Sequence, residues 1–97
     1  PSVPTAIRLF QKGAKACVAW EPPASNIATL SGYIVFLTQD EVTGSPGSWN
    51  MTSYQYFDVA ANVHYREIQV DAWGRWAAGV KAVNSCGESN LGVATKD

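Results

Sequence analysis

The alternation of side chains along this chain predicts an all-β sandwich of seven short strands. Three observations carry that reading. From Trp76 the residues Trp76, Ala78, Val80 and Ala82 recur with period 2, so one face of a strand ending at Asn84 is apolar throughout. Clusters of Gly, Pro, Asn and Ser interrupt the apolar segments about every 8 to 12 residues, the spacing of sandwich strands. The length, 97 residues, suits one such domain. No stretch has the pattern of a long amphipathic helix, and there is no internal repeat.

Taken in order, residues 1–4 form an extended start, because Pro1 and Pro4 fix their own backbone and disfavour helix before them. Residues 5–10 are the first strand, with Ile7 and Leu9 facing inward. Residues 11–15, around Gly13, turn the chain. The second strand, residues 16–20, points Ala16, Val18 and Trp20 inward and ends at Glu21-Pro22-Pro23, since proline cannot donate to a ladder. After a polar loop over 24–29, Leu30-Ser31-Gly32 leads into the third strand. Tyr33, Val35 and Leu37 share its inner face, and Ile34 and Phe36 its outer one. Residues 40–48, with Gly44, Pro46 and Gly47, are a loop. The aromatic stretch 49–60 holds a fourth strand of unspecified register. Residues 62–65 turn, and 66–70 form a fifth strand with Ile68 and Val70 inward. Residues 85–90 are the last loop and 91–95 the closing strand.

These pieces, in this order, resemble a fibronectin type III domain over nearly the whole chain. They are Pro1 and Pro4, Val18-Ala19-Trp20-Glu21-Pro22-Pro23, Leu30-Ser31-Gly32-Tyr33-Ile34-Val35, then Val70, Trp76, Val80, Ala82 and Asn84, and finally Gly87 and Ser89. The resemblance implies an immunoglobulin-like seven-stranded sandwich with Trp20 as its core tryptophan. It also implies a role as a non-catalytic interaction module, without a cofactor. Two residues depart from the pattern. Trp76 stands where the family usually has tyrosine, and Ala72 where it has proline, so an unusual connection is expected before the sixth strand. Within the family, the sections from Ala6-Ile7-Arg8 to Trp20-Glu21-Pro22-Pro23 and Tyr33-Ile34-Val35-Phe36-Leu37 resemble the last such repeat of host cell factor-type coregulators. That likeness implies partner docking in a nuclear protein.

Composition bounds the function further. The chain is 46% hydrophobic and only 15% charged, with a net charge of -1, so no clustered basic face is available to hold nucleic acid. The seven Lys and Arg residues are scattered, which argues against an anionic membrane surface. No apolar run approaches the ~20 residues of a membrane span. Residues 1–97 read as one domain excised from a larger protein. Cys17 has outward parity and Cys86 lies past its strand, so a bridge between them is not expected. Two free thiols favour a reducing compartment. Asn50-Met51-Thr52 is an acceptor pattern for glycosylation, relevant only to a secreted protein.

Nothing in the sequence assembles a catalytic or metal set. His64 stands alone and reads as an exposed loop residue; Cys17 and Cys86 have no Cys-x-x-Cys spacing and read as surface thiols; the acidic residues are dispersed. Parity gives the better clue. The outward positions of the third and sixth strands are Ile34, Phe36, Ala77, Gly79 and Val83, broken by Lys81. An exposed sheet should be polar on that side, and an apolar one is what a partner covers. The expected contact set is therefore Ile34, Phe36, Lys81 and Val83, for another protein or an adjacent domain, unless residues 49–57 fold over it. Two further readings stand beside this one. The chain could be an extracellular adhesion or receptor domain, or an accessory domain of a carbohydrate-active enzyme stacking sugars on Trp49, Tyr54 and Trp73.

Overall fold

Among the described residues the period-2 pattern resolves into eight strands in two antiparallel sheets. The computed structural model describes residues 2–23, 30–39, 54–70 and 76–96. Its strands are β1 (Thr5–Lys12), β2 (Lys15–Glu21), β3 (Leu30–Gln39), β4 (Tyr54–Ala60), β5 (Tyr65–Gln69), β6 (Trp76–Asn84), β7 (Gly87–Glu88) and β8 (Gly92–Lys96). One sheet has the order β1-β2-β5; the other runs β4-β3-β6, with β7 and β8 both pairing β6.

Local chemistry explains each junction. The β1–β2 hairpin closes on Gly13 and Ala14 alone, between the paired Lys12 and Lys15, and Gly13 takes the positive φ of 62° that the tight turn requires. Near its start β1 carries a bulge, two residues (Ala6, Ile7) opposite the single Trp20, with Ala6 at φ 51°. Beyond the bulge, ordinary alternation keeps Ile7 on the same inner side as Leu9. A second register shift lies at Leu30/Gly32 in β3. There glycine is required, because a Cβ on Gly32 would stand 2.5 Å from the Val59 carbonyl oxygen.

The closing strand is split. Val83 pairs Glu88 and Val80 pairs Gly92, so Ser89, Asn90 and Leu91 face only Lys81 and Ala82. Ser89 keeps the ladder satisfied across the gap: its N–H donates to the Ala82 carbonyl at 2.8 Å, and its Oγ accepts from the Ala82 N–H at 2.9 Å. This is the difference from the seven strands expected, one closing strand interrupted by a bulge and counted twice.

The core lies between the sheets, built from Leu9, Ala16, Val18, Trp20, Tyr33, Val35, Leu37, Ile68, Val70, Trp76, Ala78, Val80 and Ala82. Every inward assignment made from alternation on β2, β3 and β6 falls in this set. Trp20 and Tyr33 meet edge to face at 5.4 Å between centroids, a geometry worth about 1 kcal/mol beyond area burial. Burial pushes the Tyr33 hydroxyl above its usual range, and the nearby Trp20 indole partly offsets this. The two groups do not meet at hydrogen-bonding geometry, and neither Trp20 Nε1 nor Tyr33 Oη has a partner among the described residues. On the side where β4 and β5 flank the core, the Arg66 guanidinium lies 4.6 Å from the Phe57 ring centroid and links the sheets.

Candidate functional site

The outer face of the β4-β3-β6 sheet follows from register. Among the rows of outward residues that cross it are Tyr56, Phe36, Gly79 and Val93; Asp58, Ile34 and Lys81; and Ala60, Gly32 and Val83, with Thr38 and Ala77 in a further row. Because side chains alternate, the burial of Tyr33, Val35 and Leu37 obliges Ile34 and Phe36 to point away from the core. Both are half-buried by their neighbours. Tyr56 stands beside Phe36, with ring centroids 6.3 Å apart and tilted by 35°, and is 63% exposed. The aromatic stretch therefore does not cover the face over its described part. Residues 54–60 extend it as the neighbouring strand, and 49–53 lie outside the described residues.

The remaining predicted contacts are placed differently. Lys81 lies across Phe36, its Nζ 5.6 Å from the ring centroid, and pairs with Glu88 at 3.4 Å. The lysine is thus a neutralised rim around the aromatic pair. Val83 is half-buried at the far end of β6. Ala77 and Gly79, read as open flat surface, are buried instead. The bulge at residues 89–91 turns Leu91 onto Gly79, where a Cβ would meet its Cγ at 2.6 Å. Of the predicted contacts Ile34, Phe36 and Val83 remain available, joined by Tyr56 on β4 and by the half-buried Leu91 and Val93 on the β8 side. Tyr56 was missed as a member because its strand register could not be assigned from a stretch rich in aromatics on both parities.

Beside this stripe is a shallow, open depression of about 220 Å³ lined by Ser31, Gly32, Tyr33, Ile34, Asp58, Val59 and Val83. Its surface is mostly apolar. Asp58 is exposed, and it forms no ion pair among the described residues.

The opposite sheet corrects two expectations. Cys17 has outward parity but is 0% exposed. It sits between Phe10 and Glu67 in register, with Tyr65 leaning across from β5. The Tyr65 hydroxyl donates to Glu67 Oε2 at 2.6 Å, and Lys15 and Lys12 reach the same carboxylate at 3.2 and 3.6 Å. The Cys17 thiol and the bond to Glu67 hold the Tyr65 hydroxyl well above the usual phenol range. Tyr65 and Lys15 together lower the Glu67 carboxyl. His64 is half-buried and not an exposed loop residue: its ring packs edge-on to Tyr33 at 5.8 Å, and its carbonyl accepts from the Trp20 N–H at 3.1 Å. Cys86 is exposed and free, as read. Asn50, Trp49, Trp73 and the connection at 71–75 lie outside the described residues. Among the described residues no three His, Cys, Asp or Glu side chains gather as a metal site, and no helix is long and apolar enough to cross a membrane.

Comparison with known proteins gives the fold at low identity. No family model and no curated protein sequence matches the chain. Among solved structures, the fn3 domain of human collagen alpha-1(XX) matches at TM-score 0.73 and 18% identity, covering 99% of this chain and 83% of that one. The FN1–FN3 domains of chicken CNTN1 match at 0.73 and 16%, covering 99% of this chain but 32% of theirs. The Clostridium perfringens spore cortex lytic enzyme SleM matches at 0.72 and 17%, covering 100% of this chain and 28% of the enzyme. The chain therefore has the fibronectin type III sandwich fold, and it spans about a third or less of the two longer proteins.

Proposed function

We propose that this fibronectin type III-like sandwich is a non-catalytic module that binds another protein or an adjacent domain through the outer face of β4-β3-β6. Ile34, Phe36, Tyr56 and Val83 make the contact, and Lys81 with Glu88 forms its polar rim. The observation that carries this reading is the exposed Tyr56 ring beside Phe36 on an otherwise apolar strip. An aromatic anchor with a charged rim is the usual composition of a binding centre. The sandwich behind it keeps the strip rigid, so little conformational entropy is lost on docking.

Photo-crosslinking tests the surface directly. A benzoylphenylalanine placed at Tyr56 should yield a discrete adduct with a partner in cells expressing the parent protein, while the same probe at Gln69, exposed on the other sheet, should not. Equal yields at both positions would contradict the assignment.

A further inference from the structure

We infer that the depression beside β3 receives a lysine or arginine side chain of the docked protein, its aliphatic stem on Ile34 and Val83 and its charge on Asp58. This rests on the reading of the outer face as a docking surface and adds the chemistry of the partner. The pocket holds about 220 Å³, several times the ~30 Å³ share of one water, and is open to the surface along one side. Its floor is apolar and partly bare backbone, because Gly32 cannot carry a side chain under the Val59 carbonyl.

The charges around it select the occupant. On the same sheet Glu88 is already held by Lys81. Asp58 has no such partner among the described residues and lies in register with Ile34, at the pocket edge. A purely aliphatic side chain entering here would strip water from this carboxylate without replacing its hydrogen bonds. An acidic one would be repelled. A long apolar stem ending in a cation satisfies both the walls and the carboxylate, as lysine and arginine do when they lie along apolar surface with the charge at its margin.

Titration of the ¹⁵N-labelled domain with capped pentapeptides ALKLA, ALRLA, ALELA and ALXLA (X, norleucine) tests this. The lysine and arginine peptides should shift the amide signals of Gly32, Ile34, Asp58 and Val83, binding at least about threefold more tightly than the glutamate and norleucine ones, the discrimination expected of one partly exposed ion pair. Asp58→Asn should reduce the lysine peptide to the level of norleucine and leave the melt unchanged. Equal binding of lysine and norleucine peptides, no shift at these residues, or Asp58→Asn without effect would overturn the cationic anchor. Tyr56 crosslinking would still report on the docking face independently. Shifts at the same residues on concentrating the domain alone would make a second copy the occupant and overturn the inference as well.

Discussion

Glu67 gathers the Tyr65 hydroxyl and the ammonium groups of Lys12 and Lys15, closing a lid over Cys17. Its carboxyl is lowered by those partners, so the folded state favours the charged form. The stabilisation is complete above the unfolded carboxyl pKa of about 4.3 and is lost as pH falls through the lower folded value. Wild-type melting temperature should therefore drop more steeply than that of Glu67→Gln between about pH 5 and pH 2; parallel curves would show the pairs contribute nothing. Tyr65 has the opposite sense. Its raised pKa means protonated phenol is preferred in the fold, with stability present below about pH 10 and lost as pH rises through the folded value. The same lid makes a prediction for the thiols. In native protein a thiol reagent should modify Cys86 alone, and Cys17 only after unfolding or in Tyr65→Ala; two reactive thiols in the native state would contradict the burial.

At the scale of elements, the split closing strand does more than interrupt a ladder. Ser89 satisfies both backbone groups of Ala82, and the extra residue turns Leu91 onto Gly79. Ser89→Ala removes the Oγ that accepts from the Ala82 N–H, leaving a buried donor unpaired. The expected cost is about 1–3 kcal/mol by urea unfolding, and a change below about 0.5 kcal/mol would show that another group takes its place. Alternation made much of the fold legible beforehand: Ala16, Val18 and Trp20, then Tyr33, Val35 and Leu37, then Trp76 to Ala82, all point where their parity places them. Apart from Tyr56, whose strand register was open, the misreadings of exposure share one cause. Period 2 assigns a side chain to a face but says nothing about what leans over that face. Cys17 is covered by Tyr65 of the neighbouring strand and Gly79 by Leu91 of the bulge between β7 and β8, and neither neighbour follows from sequence distance. Likewise the charge on Lys81 was visible, but its engagement by Glu88 depends on β7 folding back beside β6.

For the molecule as a whole, both outer faces carry exposed aromatic rings, and Tyr56 is the most exposed of them. That of β1-β2-β5 carries Phe10 and Tyr65, 40% and 39% exposed with rings 6.4 Å apart, beside the ion pairs of Glu67. That of β4-β3-β6 leaves Tyr56 exposed beside Phe36 and holds Asp58, which forms no ion pair among the described residues; β3 is paired on both flanks, while β4, which carries Tyr56 and Asp58, pairs β3 alone among the described strands. The inner face of the same strands holds the core, so stability and docking are carried by alternate residues of one segment. Phe36→Asp separates them most directly. The new carboxylate would lie beneath the Lys81 ammonium, which limits the structural cost to about 1–2 kcal/mol. Thermal melting and recovery of the Tyr56 crosslinked adduct should be measured on the same preparation. A cooperative melt with the adduct abolished is the expected result; a domain that unfolds, or one that melts normally and keeps its adduct, would contradict the docking face.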